Sequence, residues 1–346
     1  MRTGRTESGS VLPGAVAEVW FGAVMPIRCH QCGETLEGDA RFCGVCGASL
    51  GAPVLARVIA NRYILRERIG SGSLGVVYRA EQMGVGRKVA IKLLPAAPDR
   101  DPQALERFRR EGELLCKLTS PHTVTTFEYG QEPDGSLYIV MELSSGTSLA
   151  ELMRAHGQLP WTRALRILVG LCDSLGEAHA LGIVHRDIKP ENILVEERSS
   201  NDTFVKLLDF GLAKILPVDI QSSPPGQMLG AIEYNSPEQL LRRPLDARSD
   251  IYALGVLGFR LVTGYHPHYE AQTLADLVTA HVRVIPPLAS TLAEIPAEVD
   301  DVLARCLAKD PNARYADAVS LAEAIAPILA MANRSVGDEP TLASSR

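Results

Sequence analysis

The 346 residues predict an α+β body behind a small cysteine module. Three patterns lead there. Between 61 and 143 apolar residues fall in short strand-like runs around a glycine cluster. Beyond 149 they fall mostly in long helical runs. Four of the seven cysteines lie between Cys29 and Cys46. A block of strands followed by a block of helices indicates α+β rather than alternating α/β organisation. The length accommodates two or three domains.

Hydrophobic residues make up 46% and charged ones 22%, an ordinary globular balance. The net charge of -6 supplies no basic field for nucleic acid. No apolar run approaches the ~18 residues of a membrane-spanning helix. The expected setting is therefore the cytoplasm, with neither nucleic acid nor bilayer as partner. The stretch from Val11 to Val24 is interrupted by Pro13, Gly14 and Glu18, a poor signal peptide. Residues 1–25 are read as a disordered leader, or as sequence upstream of a true start at Met25.

Cys29-His30-Gln31-Cys32-Gly33 and Cys43-Gly44-Val45-Cys46-Gly47 form two C-x-x-C-G knuckles. Two residues between thiolates let one tight turn present both sulfurs to one ion, and two such turns complete a tetrahedral shell. A segment of about twenty residues cannot bury a useful core, whereas metal binding worth ~10–16 kcal/mol can fold it. Two disulfides or a redox pair are the alternatives; a reducing cytosol favours structural Zn²⁺ on Cys29, Cys32, Cys43 and Cys46. The module resembles a zinc ribbon over 26–50, with 51–60 as linker. With Arg28 and Arg41 as its basic residues, it suits a protein partner better than phosphate. Cys116, Cys172 and Cys306 sit in helical patterns and are expected to be buried.

Along the chain, Arg62–Ile69 reads as a strand leading into Gly70-Ser71-Gly72-Ser73-Leu74-Gly75, and Val76–Ala80 as a strand leading out. Lys88–Leu94 is a third strand, with Ala90 and Lys92 on one face. Pro102–Leu118 is an amphipathic helix. Pro121–Tyr129 and Ser136–Leu143 are strands turned by Pro133-Asp134-Gly135. Helix Leu165–Leu181 precedes His185-Arg186-Asp187-Ile188-Lys189-Pro190-Glu191-Asn192, where Pro190 blocks helix continuation. Strand Ile193–Val195 follows, then an apolar run ending in Asp209-Phe210-Gly211. Helices are expected at Asp246–Thr263, Leu274–Val282, Ala297–Leu307 and Ala316–Ala330. The polar, breaker-rich end after Ala332 reads as disordered.

These segments, in this order, resemble the eukaryotic-type protein kinases, in the Ser/Thr version found in bacteria, over about 61–329. The resemblance implies a bilobal fold: small lobe 61–143, large lobe 144–330, disordered tail 331–346. It implies transfer of the γ-phosphate of ATP to Ser or Thr hydroxyls of protein substrates, with Mg²⁺. Asp187 would accept or orient the hydroxyl proton and Lys189 would lie beside the moving phosphate. Asn192 and Asp209 would hold Mg²⁺. Lys92 would hold the α- and β-phosphates, oriented by Glu111; Glu106 and Glu113 compete for that role. The glycine hairpin Ile69, Gly70, Ser71, Gly72, Ser73, Leu74, Gly75 and Val76 would close over the phosphates. Val77, Ala90 and Leu194 would sandwich the adenine, Met141 would line its back, and backbone groups of Glu142 and Ser144 would bond it.

Four further expectations follow from the resemblance. Arg186 would meet a phosphate on Ser222 or Ser223, or Asp219 unmodified. Glu238 would pair with Arg314, and Asp250 would serve a helix start and the amides of the polar octet. Ala231 stands where related kinases carry a threonine that bonds the catalytic groups. That loss is worth ~1.5–3 kcal/mol, about tenfold to a hundredfold in rate. It keeps a second reading open, a pseudokinase scaffold that binds nucleotide and signals through the ribbon. Substrate identity, activating signal and oligomeric state are not legible.

Overall fold

The computed structural model describes residues 27–28, 35–36, 45, 57–72, 75–96, 102–199, 202–210 and 232–337. The chain divides into two units, Met1–Leu55 and Ala56–Arg346. In the first, β1 (Ile27–Arg28) and β2 (Thr35–Leu36) pair antiparallel, Ile27 opposite Leu36. The four candidate zinc cysteines lie outside the described residues.

The second unit opens with a six-stranded antiparallel sheet. Its strands are β3 (Val58–Ile59), β4 (Tyr63–Gly72), β5 (Gly75–Gln82), β6 (Lys88–Leu94), β7 (Thr126–Gln131) and β8 (Leu137–Glu142). Their order is β3-β4-β5-β6-β8-β7. Helix α1 (Pro102–Leu115) connects β6 to β7. Alternation along β6 divides the sheet's faces. Val89 and Ile91 join Tyr63, Leu65, Tyr138 and Val140 in one cluster, while Ala90 and Leu94 join the main core. Ile59 is fully buried in the first cluster, so the expected linker 51–60 ends inside the sheet rather than before it.

The remainder is mainly helical. The elements are β9 (Thr147–Ser148), α2 (Leu149–His156), α3 (Trp161–Ala180), β10 (Ile193–Ser199) and β11 (Asp202–Leu207). Then follow α4 (Pro237–Leu240), α5 (Ala247–Thr263), α6 (Leu274–Arg283), α7 (Ala297–Cys306) and α8 (Ala318–Gly337). From Ser249 to Thr263 every residue of α5 except Arg260 is buried, which makes it the centre of this lobe. Its glycines admit neighbours at close range: a Cβ at Gly255 would lie 2.6 Å from the Cβ of Cys306. Asp246 caps α5 by accepting from the Arg248 N–H, and left-handed Gly264 (φ 78°) ends it.

Three expectations are corrected. Residues 121–125 are not strand with β8; the Val124 N–H donates to Leu207 O across the lobes (3.0 Å), which removes it from the sheet. Helix α8 runs to Gly337, beyond the expected stop near 331. With Leu321, Ile325 and Ile328 docked in the core, adding turns through Met331 and Ala332 costs little. Cys172 and Cys306 are buried as expected, but Cys116 is exposed just past the end of α1.

Candidate active site

A cavity of about 570 Å³ opens between the sheet and the helical lobe. Its roof is Ile69, Gly70, Gly75, Val77, Ala90 and Lys92. The strand register explains this roof. Val77 lies opposite Lys92, and Ala90 opposite Met141, so one pleat face carries all four side chains. Gly75 is required: a Cβ there would sit 2.2 Å from Leu93 O. Val76 lies opposite Leu93 and alternates to the other face, so its side chain does not line the cavity. Ser73 and Leu74 lie outside the described residues, as does the side chain of Ser71.

The back wall is Met141, Glu142, Leu143, Ser144 and Gly146. Glu142 donates its amide N–H to Thr125 O at 2.9 Å, and its carboxylate meets the Lys206 ammonium and the Ser144 hydroxyl. The sequence reading missed Leu143 and Gly146. Gly146 carried a signal only in three dimensions, because a Cβ there would reach 2.8 Å from Val195 O.

The floor is Asp187, Lys189, Glu191, Asn192, Leu194, Leu208 and Asp209. Asp187 Oδ2 accepts from Lys189 Nζ (3.0 Å) and from Asn192 Nδ2 (3.0 Å). Asn192 Nδ2 also donates to the Asp187 carbonyl (2.8 Å). The polar octet is thus cross-braced, and the braces set where the Asp187 carboxylate stands. Leu208 N–H donates to Asn192 O at 2.8 Å, which ties the Asp209 segment to the octet.

Buried groups hold the octet from behind. Asp250, 1% exposed on α5, accepts from the His185 N–H (2.8 Å), the Arg186 N–H (2.9 Å) and His179 Nε2 (3.0 Å). His185 Nε2 lies 2.9 Å from Leu208 O and its Nδ1 accepts from the Asp187 N–H at 3.2 Å. Burial lowers the His185 pKa, so the ring is a neutral brace, packed 4.7 Å from Phe210. Arg186 and Asp209 adopt left-handed φ of 66° and 55°. Each costs about 1–3 kcal/mol and persists only because its surroundings hold it.

Lys92 Nζ lies 2.8 Å from Asp209 Oδ2, with 11% of its side chain exposed. The expected Lys92–Glu111 pair is not formed. Glu111 is half-buried on α1; burial raises its pKa, and Arg186 and Arg107 are the cations that offset this. Glu106 pairs with Arg110 along the helix, so it does not serve Lys92 either. The nearer Asp209 carboxylate takes the ammonium in this arrangement.

The cavity suits a hard cation. Asn192 spends its amide N–H groups on Asp187, which leaves its Oδ1 without a described partner, and Asp209 keeps Oδ1 open likewise. Among the described residues no cluster of three or more His, Cys, Asp or Glu could enclose a metal. Two protein oxygens plus oxygens from a phosphate-bearing ligand is the coordination Mg²⁺ tolerates.

The expected ion pair below the site is present: Arg314 reaches Glu238 through Nη1 (2.7 Å) and Nη2 (3.0 Å). Residues 211–231, including Gly211, Asp219, Ser222, Ser223 and Ala231, lie outside the described residues.

Comparison with known proteins matches residues 63–325 to the protein kinase domain and 28–50 to the zinc-ribbon domain. The serine/threonine-protein kinase pkn3 of Myxococcus xanthus is 36% identical over 272 residues, 76% of this chain and 49% of that protein. PknL of Mycobacterium tuberculosis is 34% identical over 282 residues, covering 81% of this chain and 69% of its own. The chain spans about half or less of the first Myxococcus relatives, 49% of one and 39% of another. A crystal structure of the M. tuberculosis PknI kinase domain superposes with a TM-score of 0.63 at 28% identity, over 80% of this chain and 99% of that one.

Proposed function

Because the chain belongs to the protein kinase domain family, we propose that it transfers the γ-phosphate of ATP to Ser or Thr hydroxyls of other proteins. One observation carries this reading: Lys92, Asp187, Asn192 and Asp209 all line a single cavity between the lobes. Phosphoryl transfer asks little covalent chemistry of the protein and much positioning and charge neutralisation.

Asp187 orients the attacking hydroxyl and takes its proton. Lys189, already on Asp187 at 3.0 Å, neutralises charge on the moving phosphoryl group. Lys92 draws the α- and β-phosphates inward, and Val77, Ala90 and Leu194 grip the adenine against Met141. Asn192 and Asp209 would hold Mg²⁺, which would supply neutralisation of the phosphate charge. To take phosphates, Lys92 exchanges its bond to Asp209 for one to Glu111, so the position of α1 is coupled to nucleotide engagement. Retention of these groups leaves the scaffold reading without support. Ser222 or Ser223 is the site of autophosphorylation. The ribbon holds structural Zn²⁺ and docks a protein partner. The setting is cytoplasmic; among the described residues no helix is long and apolar enough to cross a membrane.

The test is incorporation of labelled γ-phosphate into Ser/Thr peptides with Mg²⁺, wild type against Asp187→Asn. Transfer lost in the variant, with ATP still bound, supports the reading. Equal transfer by both overturns the role of Asp187, and silence from a wild type that binds ATP overturns the reading as a whole.

A further inference from the structure

The peptide that joins Arg186 to Asp187 is held at both ends. Its N–H donates to His185 Nδ1 (3.2 Å), inside the octet. Its carbonyl accepts from Gln239 Nε2 (2.9 Å), 53 positions along the chain on α4. The preceding peptide is held as well, since Asp250 Oδ1 accepts the Arg186 N–H. Arg186 occupies the left-handed region at φ 66°, a conformation that a residue with a Cβ leaves unless tethered. Rotation of this peptide plane would swing the Cα–Cβ bond of Asp187 and carry its carboxylate away from Lys189 and Asn192.

We infer that Gln239 is a positioning residue for Asp187: its side-chain amide fixes the carbonyl immediately before the carboxylate that the kinase reading makes catalytic. The inference rests on that reading and deepens it. Gln239 is itself oriented. Its Oε1 accepts from the Ser236 N–H (2.9 Å) and its N–H donates to Ser236 Oγ (3.3 Å), a capping box at the start of α4. One amide side chain therefore has two tasks: the oxygen caps its own helix, and the nitrogen braces the octet. The next residue back, Glu238, is locked to Arg314 and Ser249, so the brace stands on a rigid base. A gap of about 10 Å³ among Arg186, Asp187 and Gln239 is at the lower limit for one water, so solvent does not readily replace the amide.

Gln239→Glu separates the two tasks, because a carboxylate still caps Ser236 but cannot donate to Arg186 O. The expected result is a fall in kcat of about tenfold, with KM for ATP within about twofold and the melting temperature near wild type. Hydrogen exchange of residues 185–189 should accelerate in the same variant, a readout independent of activity. Ser236→Ala, which removes the hydroxyl half of the capping box and leaves both side-chain bonds of Gln239 in place, should lower the melting temperature with a smaller loss of kcat. Unchanged exchange at 185–189 in Gln239→Glu overturns the inference whether or not the protein transfers phosphate. So does a kcat within about twofold of an active wild type, or an equal kcat loss in Ser236→Ala. An inactive wild type, by contrast, overturns the kinase reading alone, and exchange then decides the brace.

Discussion

Glu238 and Arg314 meet as a two-pronged ion pair across 76 positions, with the guanidinium wholly buried and the carboxylate 8% exposed. The remaining donors of Arg314 reach Ala308 O, Arg248 O and Lys309 O. The pair therefore joins α4 to the start of α5 and to the loop after α7. It places no charge in the cavity, yet it supports the helix from which Gln239 reaches the octet.

Arg314→Ala should lower unfolding free energy by about 3–5 kcal/mol, because it leaves Glu238 buried without its cation. Urea titration checks this. Replacement of both partners by apolar residues should cost clearly less, and an equal cost would assign the loss to packing instead.

Lys92→Met should raise KM for ATP and cut kcat/KM by about a hundredfold or more, whereas Asp209→Asn should chiefly raise the Mg²⁺ concentration needed for half-maximal rate. Initial rates over a grid of ATP and Mg²⁺ separate the two. Release of Asp209 in the Lys92 variant should not destabilise the fold measurably, since that side chain keeps 30% exposure.

Acid should destabilise the large lobe before the carboxylates titrate. His281 and His268 are held neutral, pushed down to about 2 and about 3 by burial and by the neighbouring histidines and Lys309. His281 Nδ1 sits 2.9 Å from the Tyr252 hydroxyl, and Lys309 Nζ lies 3.3 Å from His268 Nε2. The unfolded chain protonates these rings near pH 6.5, while the native state does not. Stability is thus complete above that pH and falls as pH drops from about 6.5 towards 3, at up to ~1.4 kcal/mol per pH unit per ring. Urea midpoints at pH 7.5 and 5.0 should differ, and His281→Asn should narrow the gap. A gap of the same size in that variant would refute the assignment.

Purified protein should carry one zinc per chain. Cys43→Ser should lose it, and chelation should release four titratable thiols from Cys29, Cys32, Cys43 and Cys46. Metal-free protein with disulfides among these cysteines would contradict the ribbon assignment.

Phosphopeptide mapping after incubation with ATP should find phosphate on Ser222 or Ser223. An active enzyme with an unmodified segment would instead point to Asp219 as the partner of Arg186.

Local order and spacing were enough to identify strands β4, β5, β6 and β8, the octet, the Asp209 triplet and the two cysteine knuckles, because each depends on neighbours a few residues away. Period-two alternation placed Ala90 and Lys92 on one face. Applied strictly, it would also have turned Val76 away from the cavity. The partner of Lys92 was beyond such reasoning: two carboxylates compete for one ammonium, and which one wins depends on how close α1 stands. Gln239 was equally hidden, since nothing in a Pro-Glu-Gln triplet announces a contact 53 positions back. Patterning along a chain records which face is apolar and where the backbone can turn. Which polar groups meet is settled by packing, where distances of a few tenths of an ångström decide between partners of the same chemical kind.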